Sequence, residues 1–181
     1  MLNTYAGPML AGMCNCIRVM AGSDAGAVVC LVIFVMCLVV ASVCDIRTHT
    51  VPDLIWWIAA AGILGLILMR YGGGEANSDP GAMKAASRLL EALFIIFIQE
   101  RVMSRYYGRA DSHAFSCCAL YLAVCGSGLE AHILHMSLSL VSLTLIQLLR
   151  HNINRRGRLK TPSPFIPYIS VAFIVTLLFI L

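Results

Sequence analysis

Apolar residues run in long stretches along this chain, separated by short polar segments. Ala25–Cys44 contains no charged residue, and Leu54–Met69 is uncharged between Asp53 and Arg70. A third stretch, Ala85–Met103, is interrupted by Arg88, Glu91, Gln99 and Glu100. Ala114–Leu129 and Phe165–Leu181 are uncharged, and His132–Leu149 holds two histidines but no Asp, Glu, Lys or Arg. A bilayer core takes roughly 17–25 apolar residues as helix, so the pattern predicts six spans. Backbone in a bilayer must satisfy its own hydrogen bonds, which favours helix. The alternating runs of about 10 residues that a membrane barrel needs are absent. The expected fold class is all-α: a polytopic membrane protein, a bundle of about six transmembrane helices. The expected organisation is a weakly ordered or interfacial N-terminal leader over 1–24 and a six-helix membrane domain over 25–181. In the leader, Asn3, Gly7, Pro8, Gly12 and Asn15 break any signal-peptide core.

Composition strengthens this picture. The 181 residues are 60% hydrophobic and only 12% charged, and mean hydropathy is +0.85. A soluble domain carries about twice that charged fraction, and a disordered chain is apolar-poor. The charges that remain are unevenly placed. Nine of the 13 Lys and Arg fall in 45–53, 101–113 and 150–164. Arg18, Arg70, Lys84 and Arg88 are the other four. Cations collect on the cytoplasmic side of a membrane protein, so an external N-terminus is expected, with those three segments as cytoplasmic loops. The loop Gly72–Gly81, with Glu75 and Asp79, then faces outward. The net charge of +4 is a topology signal. The basic clusters are too sparse to argue for nucleic acid.

Other chemistries lack their residues. Eight cysteines are present, without a C-x-x-C pair, and none has a histidine at zinc-finger spacing. Cys14 and Cys16 have the spacing of a metal or redox pair, but most of the others lie in apolar runs and read as packing. His132 and His135 share a helix face at i, i+3 and lack a third ligand nearby, so helix packing is expected there too. There is no G-x-S-x-G and no H-E-x-x-H, which leaves serine and zinc peptidases without nucleophile or ligands.

Carboxylates at membrane boundaries carry the remaining signal, because ionisable groups there are costly. Asp45 directly follows the first uncharged run, in Cys44-Asp-Ile-Arg-Thr-His-Thr-Val-Pro-Asp53. Pro52 suits the first turn of the second helix, and Asp53 suits its positive N-terminal end. Asp111 stands at the mouth of the fourth run, in Tyr107-Gly-Arg-Ala-Asp-Ser-His113. The charge-derived topology puts Asp45 and Asp111 at one membrane depth. Two carboxylates sharing one proton are what an aspartyl hydrolase needs. Either Asp alone is better explained as a helix cap.

Three segments resemble the type IV prepilin peptidase family. Asp45, an intervening Arg47 and Val51-Pro52 are similar to its first-aspartate motif, an Asp and a short basic stretch before Ile/Val-Pro-Asn. Gly108-Arg-Ala-Asp111 is similar to its G-x-G-D motif. Thr161-Pro-Ser-Pro-Phe-Ile-Pro-Tyr168 resembles the Pro-Phe-x-Pro-aromatic start of its last helix. Ala110 stands where the family usually has Gly, which removes freedom for positive φ. Asp53 stands where it has Asn, and His113 where it commonly has Lys. The long members' cytosolic insert with paired C-x-x-C zinc ligands is missing. The likeness is to the short members that serve tight-adherence pili and to archaeal preflagellin peptidases.

The resemblance implies an aspartic endopeptidase of the cytoplasmic (inner) membrane, its active site facing the cytoplasm. It would cleave the short basic leader from prepilin-like precursors. Asp45 and Asp111 would be the catalytic pair, with Pro52, Asp53, Gly108 and Ala110 supporting the motifs. Water would be the nucleophile, without metal or organic cofactor. The implied partners are prepilin-like proteins and the lipid bilayer, with a homo-oligomer left open. The competing readings are a small membrane transporter using Glu91, Glu100 and the histidines as a polar pathway, and a non-catalytic pilin-binding scaffold.

Overall fold

The structure is a computed structural model, and it describes residues 25–71, 80–153 and 164–180. Every regular element among them is helical. In chain order they are α1 (Ala25–Thr48), α2 (Asp53–Tyr71), α3 (Pro80–Ile98), a π-helical turn (Gln99–Met103), α4 (Ser104–Tyr107), α5 (Arg109–Val124), α6 (Leu129–Ile153) and α7 (Ile166–Ile180). Residues Ile98, Met103 and Ser104 around the π-helical turn all have right-handed helical backbone. α3, the turn and α4 are therefore one continuous rod, and the bundle has six rods. Cys14, Cys16, Glu75, Asp79 and the leader over 1–24 lie outside the described residues.

Prolines sit where helices tolerate them. Pro80 opens α3, Pro167 is in the first turn of α7, and Pro52 precedes α2 with its carbonyl accepting the Ile55 N–H at 3.1 Å. α1 ends at His49, whose φ of +53° places it in the left-handed region. Its N–H closes back on the Asp45 carbonyl at 3.1 Å, the bond of a left-handed helix cap.

Helix α5 is the centre of the packing: Ala114, Phe115, Cys118 and Val124 are fully enclosed or nearly so. It touches α2, α3, α6 and α7, while α1 packs on α2 and α7. Aromatic rings lock the layers together. Phe34 of α1 stacks on Tyr121 of α5 with centroids 4.9 Å apart, and Phe173 of α7 meets both edge-on. Such pairs add about 0.5–1.5 kcal/mol each beyond burial.

Several expected boundaries move. The segment 101–113, expected as a loop, is helical except at Gly108. α5 stops at Val124, so Leu129 begins α6 instead of ending the preceding run. Segment 45–53 shrinks to a short link because α1 continues to Thr48. The six expected spans are also uneven. Val28–Thr48 and Leu129–Leu149 are long and apolar enough to cross a membrane, and Asp53–Met69 and Ile166–Phe179 are shorter apolar helices. α3 carries Lys84, Arg88 and Glu91, and α5 has 16 residues, so neither meets that measure.

Candidate functional site

Asp45 occupies the last turn of α1, with only 9% of its surface exposed. Its Oδ2 accepts the backbone N–H of Ile166 at 3.0 Å. The reason lies in α7. The Phe165 carbonyl takes the N–H groups of Tyr168 and Ile169 at 3.0 and 3.3 Å, and Pro167 has no N–H to offer. Ile166 is left as an orphan donor at the positive end of the helix, where a carboxylate is the favoured partner. One turn deeper, the hydroxyls of Ser42 and Ser170 meet at 2.9 Å and tie α1 to α7 again.

Asp111 lies in the first turn of α5, ahead of the apolar run that begins at Ala114. The chain enters this helix through Gly108, at φ +104° and ψ 156°, a region essentially reserved for glycine. The Gly108 carbonyl accepts the Ser112 N–H at 3.1 Å. A side chain at 108 would place its Cβ 3.5 Å from Asp111 Oδ2. Burial, and then the negative charge of Asp45, raise the Asp111 carboxyl from 3.8 to about 7. The charge of Asp45 on α1 thus acts on Asp111 of α5. Asp111 therefore keeps its proton up to near neutrality, as burial beside a like charge requires.

A second polar cluster adjoins this pair through the π-helical turn. Ser112 Oγ donates to the Gln99 carbonyl at 2.6 Å. His113 Nδ1 lies 2.8 Å from Glu100 Oε1, and Ser116 Oγ donates to that same oxygen at 2.9 Å. Gln99 Nε2 reaches Met136 Sδ of α6 at 3.2 Å. π-helical turns occur frequently at functional sites, and this one presses its polar side onto the turn of α5 that carries Asp111.

The other expected site residues fall as follows. Pro52 and Asp53 are exposed at the start of α2, and Asp53 supplies charge to that helix end. The expectation for Ala110 is corrected. It has ordinary helical backbone inside α5 and packs part-buried against the core, while the positive φ belongs to Gly108. The helix has already begun by Ala110, so the backbone there needs no special freedom. His132 and His135 are buried, and His135 Nε2 donates to the Ile169 carbonyl at 3.1 Å. Its ring meets Phe115 and Phe173 edge-on. Among the described residues no group of three His, Cys, Asp or Glu is placed to hold a metal ion. Sequence reasoning missed the Ile166 N–H, Ser112, Gln99 and the Glu100–Ser116 bond. The proline after Ile166, which empties the next donor position, was the available signal for the first of these.

Comparison with known proteins supplies no relative. No protein-family model matches the chain, and no curated protein and no solved structure is similar to it. The likeness to prepilin peptidases therefore rests on the three short sequence motifs alone.

Proposed function

We propose that this chain is a polytopic membrane aspartyl endopeptidase that removes the basic leader from prepilin-like precursors at the cytoplasmic face. The observation that carries the reading is that the negative charge of Asp45 helps raise the Asp111 carboxyl, although the two residues are 66 positions apart and the motifs nominate them separately. In the proposed reaction Asp45, held at the α7 N-terminus by Ile166, takes a proton from water. Asp111, protonated near neutrality, donates to the scissile carbonyl oxygen as the water oxygen attacks its carbon. Collapse of the tetrahedral intermediate returns a proton to the leaving amine.

Large apolar side chains that face outward support the membrane half of the reading. Trp57 is 73% exposed, Leu54 66%, Phe94 65% and Val141 63%. Patches of that kind are covered by lipid or protein. Membrane fractionation tests this half. Co-expression with a prepilin-like precursor, followed by a size-shift assay, tests the other. Leader removal that persists in chelator and disappears in Asp45→Asn supports the peptidase, and an uncut precursor in the parent strain sinks it.

A further inference from the structure

A cleft of about 590 Å³ opens at the end of the bundle away from the carboxylate pair, between α3 and the link from α5 to α6. Arg88 precedes Gln99 by 11 positions on α3, which is roughly 16 Å of helix. Among the described residues three charged side chains line the cleft: Arg88 and Glu91 from α3, and Glu130 from the first turn of α6. Among the described residues the one ion pair is Glu100–His113, so neither glutamate neutralises Arg88 although all three line the same space. The guanidinium is seated against the link. Gly126, at φ +90°, would bring a Cβ to 3.0 Å from Arg88 Nη1. Leu129 and Leu134 are apolar lining residues, and Leu90 and Ile133, each adjacent in sequence to a lining residue, are exposed.

We propose that this cleft binds the headgroup of a zwitterionic phospholipid bearing a primary ammonium, the phosphatidylethanolamine class. A guanidinium fork matches a phosphodiester. Glu91 and Glu130 supply acceptors for the ammonium, whose N–H donors a quaternary choline lacks. An anionic lipid leaves both carboxylates without a cation. The leucines of the cleft and the exposed apolar residues beside it offer cover for an acyl chain, which a free headgroup does not need. The inference rests on the membrane half of the proposed function and is independent of cleavage.

The test uses the full chain purified in detergent, with thermal unfolding and native mass spectrometry as readouts. Dioleoyl phosphatidylethanolamine, phosphatidylcholine and phosphatidylglycerol are added at equal mole fraction, and glycerophosphoethanolamine is added separately. The ethanolamine lipid is expected to raise the unfolding midpoint by several degrees and to remain bound in the gas phase, as ligands that favour the folded state do. The other two lipids and the soluble headgroup are expected to fall well short. Arg88→Gln and Glu130→Gln, at a half-buried and an exposed position, should each abolish the preference. Equal stabilisation by all three lipids, an undiminished preference in Arg88→Gln, or a soluble headgroup as effective as the lipid would overturn the assignment. Recovery of the protein in the aqueous fraction without detergent would overturn the membrane reading itself, before any lipid is added.

Discussion

Asp45 Oδ2 and the backbone N–H of Ile166 meet at 3.0 Å although 121 positions separate them. A side chain at the end of α1 thereby caps α7, and the carboxylate that faces Asp111 is fixed by a main-chain donor with little freedom to move. The cap and the proposed base are one group, which makes substitutions at 45 informative.

Asp45→Asn keeps an acceptor oxygen for Ile166 but no longer exchanges protons at neutral pH. It should stay folded while cleavage falls by at least about 100-fold, the usual loss for a missing general acid or base. Asp45→Ala should lose cleavage and also stability, by about 1 kcal/mol or more, because the cap is gone. Thermal unfolding separates the two variants. Asp111→Asn should resemble Asp45→Asn in cleavage, and Asp53→Asn should be mild because Asp53 is exposed.

The pH profile follows from Asp111. The proposed mechanism needs its proton, and its carboxyl titrates at about 7, so cleavage should decline as pH rises through about 7. Stability has the same sign. A carboxyl whose folded pKa lies above its unfolded value of 3.8 stabilises the fold fully below that value, and this contribution is lost as pH rises toward about 7. The parent should therefore lose more stability between pH 4 and pH 8 than Asp111→Asn does, in paired denaturation curves.

Backbone strain separates positions 108 and 110. Gly108→Ala forces a side chain into a glycine-only region and should cost on the order of 1–3 kcal/mol, with reduced cleavage because Asp111 Oδ2 lies beside the new Cβ. Ala110→Gly should give no gain in activity and cost up to about 1 kcal/mol, as glycine does inside a helix. Higher cleavage in Ala110→Gly than in the parent would contradict this placement.

Ser112 anchors the π-helical turn to α5 through one buried hydrogen bond. Ser112→Ala should destabilise by about 1 kcal/mol and no more, because the Gln99 carbonyl keeps the Ser104 N–H. Denaturant midpoints against Ser142→Ala, a part-buried serine distant along α6, provide the comparison.

Much of the helical layout was legible because long apolar runs mark both the presence and the approximate extent of helices. The ends were less legible, since they depend on single residues. Gly or Asn commonly ends a helix, but α1 ends on His49, a less common left-handed residue that a sequence reading does not single out. The stretch after Gln99 reads as a loop from its Arg101, Arg105 and Arg109, yet it is helix, because charge does not forbid helix where one side of the rod faces outward. Asp45 and Asp111 were legible as boundary carboxylates. That the charge of Asp45 reaches Asp111 was not, since it depends on how α1, α5 and α7 pack. Ile166 acts through its main chain, which leaves no mark in a side-chain pattern.

The π-helical turn has a consequence for insertions and deletions. At about 100° per residue, eight positions of plain α-helix would leave Gln99 and Tyr107 about 80° apart. In the wider turn each residue rotates less, and the Gln99 carbonyl and the Tyr107 ring both reach α5, the first at Ser112 and the second near Phe115. The rod therefore holds one residue more than an α-helix of the same angular span. Removing Val102 would let the turn relax into α-helix with both flanks still in register. A deletion inside α5 has no such slack and would swing Asp111 away from Asp45. Residues 99–103 are thus the place in this bundle where the chain can change length without losing its alignment.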